Sequence, residues 1–412
     1  MRPSLFLALA LSATACTPKS AADWYENAGF VDLDEDDYNP SRVIVGLHAD
    51  ASDVTPRFNR DTLIEVRRWE RLSAVAVEVP VDEDALWVAA ELMASGDFAY
   101  VEPDYTRSVS AVNDPYRSYQ WHLDSINTET AWATSTGAGV VVAVVDTGVG
   151  TGGADTPTLT STGYDFVDND SFPADGNGHG THVAGTVAQA TDNNTGVAGV
   201  AYDASIMAVR VLNNSGSGYS SDVIDGILHA ADNGADIINM SLGSSSGSTS
   251  EQNAVNYAAA AGLVVVAASG NSGGTSVDYP ARYSEVIAVG ATRYDDTRAS
   301  YSSRGTNLDV VAPGGDTSVD QNGDGYVDGV LQETNNGGTS YGYYFYQGTS
   351  MASPHVAGVA ALLMSLGADR DEVRQVLRDT AVDLGSSGFD TSYGYGLIDA
   401  AAAVAAVGGR HG

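Results

Sequence analysis

One cysteine, Cys16, is all the thiol chemistry in the chain, so no disulfide can form within it and no cysteine-based metal site can be built. Positive charge is almost as scarce. Nineteen Lys and Arg face 53 Asp and Glu, the formal net charge is −34, and Lys19 is the only lysine. Such a surface repels a phosphate backbone, which excludes nucleic acid as a partner. Its carboxylates suit solubility and calcium. Long hydrophobic runs are missing too: the apolar stretch 5–11 is too short to span a bilayer, and no later run approaches that length. The chain is 412 residues long and 43% hydrophobic, enough for one large α/β domain and a small one.

What is present begins with a leader pattern. Arg2, the apolar run and the small residues 12–15 read as a secretory signal over 1–16. Its end resembles a bacterial lipobox, which implies a lipid on Cys16, with ordinary signal cleavage as the alternative; the protein is expected to be exported. Residues 17–40 are polar and acidic, a linker. Over 41–107, strand patterns at 42–47, 63–68 and 74–80, a helical pattern at 83–95, a strand end near 100–103 and a short helix near 53–59 predict a small βαββαβ module.

From Asn113 to about 408, β-branched runs alternate with amphipathic stretches, which predicts an α/β domain with a mostly parallel sheet covered on both faces. Strands are expected at 140–145, 205–211, 236–240, 263–268 and 286–290. Helices are expected at 182–189, 221–233, 250–261, 350–366, 370–380 and 397–406. Functional groups in such folds gather at the carboxyl ends of the strands.

Three stretches carry chemistry. Ser350, in Gly348-Thr-Ser-Met-Ala-Ser-Pro-His355, opens a helix, where unpaired N–H groups and the helix dipole can stabilise an oxyanion. A lone serine there is usually only a cap. Asp146 ends an apolar strand, and a carboxylate in that place needs a hydrogen-bond donor. His179 and His182 lie in His-Gly-Thr-His-Val-Ala-Gly; metal binding is the competing reading, but 184–187 offer no carboxylate of the zincin kind. An aspartate-oriented histidine serving a serine is the better account.

Together these motifs, in the order aspartate, histidine, serine, resemble the subtilisin family of serine peptidases over about 113–406. The resemblance implies a subtilisin-like fold, Asp146, His179 and Ser350 as the triad, a structural His182, and Asn271 of Ala-Ala-Ser-Gly-Asn as the side-chain oxyanion donor. It implies that substrate adds as a strand between Gly216-Ser217-Gly218 and Ser241-Leu242-Gly243, with Ala268, Ser269 and Gly270 walling the specificity pocket. Asp278 falls where the family often has a small residue, which points to arginine or lysine at the scissile position unless the carboxylate faces solvent or pairs with Arg282. The 41–107 module becomes an inhibitory propeptide whose last strand enters the cleft, with cleavage between Arg107 and Asn113. That cut would free the catalytic domain from any lipid, the only link to a membrane.

Calcium enters from spacing. Asp320, Asn322, Asp324 and Asp328 alternate around a glycine at the sixth position, as in an EF-hand loop, although Leu331 replaces the closing glutamate. The resemblance adds a second calcium position at Asn193, left incomplete because Asp155-Thr-Pro-Thr-Leu159 replaces the expected His-Pro-Asp-Leu. The expectation is an exported, monomeric, calcium-stabilised serine endopeptidase acting on polypeptides, with no organic cofactor. A calcium-binding surface protein on a retired fold and a transpeptidase are the rivals.

Overall fold

Five consecutive residues, Val142–Asp146, are buried, which a strand achieves only with both faces covered. The computed structural model describes residues 38–48, 56–58, 61–81, 83–105 and 112–408, in two units divided between Ser108 and Val109. The leader, Cys16, most of the linker and residues 106–111, where cleavage is expected, lie outside the described residues.

The smaller unit is an antiparallel sheet of β1 (Tyr38–Gly46), β2 (Glu65–Trp69), β3 (Ala74–Glu78) and β4 (Tyr100–Tyr105), in the order β2-β3-β1-β4. Helix α1 (Ala85–Ser95) opens on Asp84, which accepts the Trp87 N–H, and closes on the left-handed Gly96. Leu86, Val88 and Leu92 of α1 bury against Val43, Val45, Val75 and Val77 of the sheet. The expected helix near 53–59 is corrected in part: Arg57–Phe58 form a two-residue strand paired with Asp61–Thr62, and 51–55 and 59–60 are outside the described residues.

The larger unit holds a seven-stranded sheet. Its strands are β5 (Val141–Asp146), β6 (Tyr164–Asp165), β7 (Ser205–Arg210), β8 (Ile237–Met240), β9 (Val264–Ala268), β10 (Val286–Thr292) and β11 (Val310–Pro313), in the order β11-β10-β9-β8-β5-β7-β6. Every paired strand is parallel. Strand order reverses around β5, so the crevice at a switch point opens beside Asp146.

Helices α2 (His179–Ala188), α3 (Ser220–Asp232), α4 (Thr249–Ala260), α5 (Thr349–Ser365), α6 (Arg370–Asp379) and α7 (Ala400–Gly408) cover the sheet. Helix α5 is buried nearly all round and packs on β8 to β11 and on α2. Two expectations shift, and one element is not among those expected. Helix α2 starts one turn earlier than 182, because Gly178 supplies a left-handed N-cap at φ 98°. Leu397 bridges Val382 and Val311, and α7 begins only at 400. A hairpin of β12 (Val330–Thr334) and β13 (Gly342–Tyr346) stands in the long insertion before α5.

Five arginines of this unit are held by carboxylates: Arg117 by Asp124 and Glu129, Arg210 by Asp165 and Asp168, Arg370 by Glu285, and Arg374 and Arg378 by the buried Asp309. Among the described residues no single helix is long and apolar enough to cross a membrane.

Close packing of α5 depends on Gly358. A Cβ there would lie 2.6 Å from the Val200 Cβ, nearer than two carbons can approach. Gly358→Val is expected to cost about 1–3 kcal/mol through overpacking, read as a lowered denaturation midpoint in urea; an unchanged midpoint would refute this account of the contact.

Candidate active site

Asp146 is fully buried at the end of β5. Its Oδ1 accepts the Thr147 N–H at 2.7 Å and lies 2.7 Å from His179 Nδ1, while Oδ2 is buried without a partner among the described residues. That pairing fixes the tautomer: Nδ1 carries a proton toward the carboxylate, and Nε2 faces the cleft as the basic nitrogen. Burial pulls the His179 pKa down, but the charge and hydrogen bond of Asp146, with the charge of Asp175, more than offset it, and the net shift is upward from about 6.5.

Asp175 is a positioning residue that motif reading misses. Its Oδ1 accepts from Thr147 Oγ1, Asn177 N and Gly178 N, and its Oδ2 from Thr181 N and Thr181 Oγ1. One carboxylate thus satisfies several donors around the start of α2 and ties them to the end of β5. The sequence signal is an aspartate four residues before His179, inconspicuous among so many acids. His182, one turn on, is structural as expected: Nε2 lies 3.0 Å from the Val330 carbonyl and 3.1 Å from that of Tyr344, the ring stacks on Tyr346, and burial lowers its pKa to about 3.

Ser350 is the second residue of α5. Pro354, four residues on, has no N–H to offer the Ser350 carbonyl, and Ser241 Oγ donates to that carbonyl instead at 2.8 Å. Ser350 Oγ donates to the Ser241 carbonyl at 3.1 Å. The direct Ser350–His179 hydrogen bond expected of a triad is therefore not made in this conformation, although both side chains line one cleft; rotation about the serine Cα–Cβ bond separates the two arrangements.

The carboxamide of Asn271 is oriented by Thr349, whose N–H and hydroxyl both donate to Oδ1 at 2.9 Å. The amide nitrogen is left free. A Cβ placed on Gly348 would be 3.6 Å from Asn271 Nδ2 and 3.6 Å from Ser350 N, so the two donors face the same space. The Ser350 N–H belongs to the first turn of its helix and has no intrahelical acceptor.

The cleft, about 520 Å³, is lined by Gly216, Ser217 and Gly218 on one side and by Ser241, Leu242 and Gly243 on the other. Ala268 ends β9, and Ser269 and Gly270 follow it. Asp278 lies against their glycine: a Cβ on Gly270 would be 2.2 Å from Asp278 Oδ2, and one on Gly243 would be 3.4 Å from its Cβ. The expected alternative of an Asp278–Arg282 pair does not occur, because the Arg282 guanidinium bonds the Val277 carbonyl and Ser276 Oγ and stacks on Tyr279.

Of the candidate calcium residues, Asp320 accepts the Gly323 and Gly325 N–H groups, and Asp324 accepts that of Tyr326. Asn322 Nδ2 donates to Asp324. Asp328 is buried, its Oδ1 lacks a partner among the described residues, and burial together with the charges of Asp320 and Asp324 raises its pKa. At the other position Asp155 is fully buried and accepts from Asn193 Nδ2 and Val197 N, both at 2.9 Å, which brings Asn193 beside a carboxylate in spite of the altered motif. Burial raises the Asp155 carboxyl to about 6, with the charges of Glu333 and Asp114 adding to it and the hydrogen bonds from Val197 and Asn193 opposing it.

Comparison with known proteins sets the class. A family model described as the subtilase family matches residues 137–396, and the relatives are named proteinases, so the protein is a serine endopeptidase. The chain belongs to the subtilase family. It is 45% identical over 293 residues to thermitase of Thermoactinomyces vulgaris, covering 71% of this chain and 98% of that one. It is 46% identical over 308 residues to the thermophilic serine proteinase of Bacillus sp. (strain AK1), covering 74% and 72%. A solved protease structure from Pseudoalteromonas arctica matches with a TM-score of 0.67 and 41% identity, over 72% of this chain and all of that one.

Two outcomes follow from the geometry. Since the base must be neutral and Asp146 holds its proton to higher pH, kcat/KM should fall as pH drops through a midpoint above about 6.5, and Asp146→Asn should move that midpoint down; a wild-type midpoint no higher than the variant's contradicts the assignment. Thr349→Val removes one of the two donors that orient the Asn271 amide and keeps the backbone one, so kcat should fall by less than the roughly 10² to 10³ typical of losing the oxyanion donor itself, with KM little changed. Equal kcat in variant and wild type would show that Thr349 does not set the amide.

Proposed function

We propose that the chain is a precursor of an endopeptidase in which Ser350 is the nucleophile, His179 the base, Asp146 its orienting carboxylate, and Asn271 Nδ2 with Ser350 N the oxyanion donors. The observation that carries this is the Asp146–His179 bond in a cleft that Ser350 also lines, with Asn271 Nδ2 and Ser350 N each 3.6 Å from a Cβ placed on Gly348. Ser350 Oγ attacks the peptide carbonyl as its proton passes to His179 Nε2. The oxyanion forms between the two N–H donors; collapse expels the amine, which takes the proton back from His179. Water, deprotonated by His179, then hydrolyses the acyl-enzyme and regenerates Ser350.

The substrate is a polypeptide strand lying between 216–218 and 241–243, with a lysine or arginine side chain reaching the unpaired Asp278. The leader pattern over 1–16 supports export, and the 41–107 unit acts as an inhibitory propeptide removed by the enzyme itself. The decisive measurement is intact mass and N-terminal sequencing of wild type beside Ser350→Ala, both folded with calcium. Wild type alone should lose the 41–107 segment, and a new N-terminus at Ser108 would support the basic preference. Retention of that segment by both folded proteins would refute self-processing.

Calcium belongs to the same proposal. The orphaned, buried Oδ1 of Asp328 fits a cation bound with Asp320, Asn322 and Asp324, and the buried Asp155 with Asn193 fits a second. Among the described residues no three His, Cys, Asp or Glu side chains already converge as ligands, so amide and backbone oxygens would complete each shell. The ion would supply positive charge and a clamp on loops that have no disulfide. Thermal unfolding of Ser350→Ala should therefore shift upward on adding calcium, with a smaller shift in Ser350→Ala/Asp328→Asn; identical melts with calcium and with chelator would remove calcium from the account.

A further inference from the structure

The cleft contains a second carboxylate for which the proposed chemistry has no use. Glu251 lines the same cavity as His179 and Ser350, in the first turn of α4, and is only 7% exposed. Ser248-Thr-Ser-Glu251 is the pattern of a capping box, in which the glutamate reaches back to the N–H of the capping serine. Half of that box forms: Ser248 Oγ accepts the Glu251 N–H at 3.1 Å. The reciprocal half is taken by another residue, because the Ser248 N–H donates to the Tyr283 hydroxyl at 2.8 Å.

Glu251 is thereby released from capping. Its Oε2 lies 2.9 Å from the Tyr283 hydroxyl oxygen, which is also 2.9 Å from the Ser248 carbonyl oxygen, so one hydroxyl hydrogen is shared between two acceptors. Its Oε1 has no donor among the described residues, and none of the cleft-lining residues is Arg or Lys. A carboxylate this buried is costly without a cation or full hydrogen bonding. None of the cleft-lining side chains donates to Glu251, whose one side-chain partner among the described residues is the Tyr283 hydroxyl. An extended chain between 216–218 and 241–243 passes this point and can present a side chain to it.

We propose that Glu251 is a specificity-determining residue that selects a lysine or arginine side chain at one further position of the bound strand, distinct from the position served by Asp278. This rests on the peptidase reading and deepens it to a substrate class: segments carrying two cationic residues near the scissile bond. The occupant's N–H groups would bond Oε1, and its charge would neutralise the carboxylate.

The test is a peptide library in which each position flanking an arginine cleavage site is varied through lysine, glutamine and leucine, with the processed full enzyme and its Glu251→Gln and Glu251→Leu variants. Titration of Ser350 by a covalent serine reagent confirms that each preparation is folded. Wild type should prefer lysine over leucine at one position by about tenfold or more, the scale of a charge-assisted hydrogen bond. That ratio should collapse in Glu251→Gln and reverse in Glu251→Leu. Should Glu251→Gln fail to fold, the leucine variant, which continues the apolar floor, reads the same ratio. A ratio unchanged in either folded variant, or no lysine preference at any second position in wild type, overturns the assignment of Glu251 while leaving the peptidase reading intact. Absence of any hydrolysis by wild type overturns both.

Discussion

A negative charge buried at the end of the central strand is the constraint on which the site depends. Among the described residues Asp146 is met only by the Thr147 N–H and the His179 ring. Those two donors have to be held in place, because losing one leaves a buried carboxylate uncompensated at a cost of several kcal/mol. The structure meets this through a second carboxylate one layer out. Asp175 grips Thr147 and the first turn of α2 together, so the strand end and the histidine move as one body. Folding stability and the orientation of the imidazole are then the same requirement.

The opposite wall is organised by backbone rather than by charge. Proline at 354 leaves the Ser350 carbonyl without its helical donor, and Ser241 supplies one. Glycine at 348 leaves space in front of the Ser350 N–H, and threonine at 349 turns the Asn271 amide toward that space. Each residue of Gly348-Thr-Ser thus has a separate physical task, which explains why so short a stretch is informative when read alone.

Much of the fold is legible in sequence because a parallel sheet buried on both faces imposes unbroken valine-rich runs such as 141–145 and 264–266, and because motif residues lie close together in the chain. What escapes reading is what depends on distant partners. The four-residue strand 310–313 resembles a loop entry, since it ends in proline at the sheet edge. The 330–346 hairpin hides in a stretch rich in glycine and tyrosine. Asp175 is one aspartate among many until its five donors are seen. Asp155 does not carry the neighbours expected around it, yet it reaches Asn193, because position along the loop matters there and the flanking side chains do not. Glu251 reads as half of a capping box, and only the hydroxyl of Tyr283, 32 residues away, shows that the other half is open.

The pinned arginines bear on how such an enzyme survives its own company. At working concentration every molecule is a potential meal for its neighbours, and if the cleft takes cationic side chains as proposed, the chain has only 19 Lys and Arg to offer. The lone lysine, Lys19, lies outside the larger unit, and the guanidinium groups of Arg117, Arg210, Arg370, Arg374 and Arg378 are clasped within that unit. To offer one as bait, the chain must first surrender an ion pair and draw several residues out of helix or strand. Cleavage at these five positions would then be limited by local unfolding rather than by encounter, so the same carboxylates that give the chain its negative charge would also protect it from its own active site.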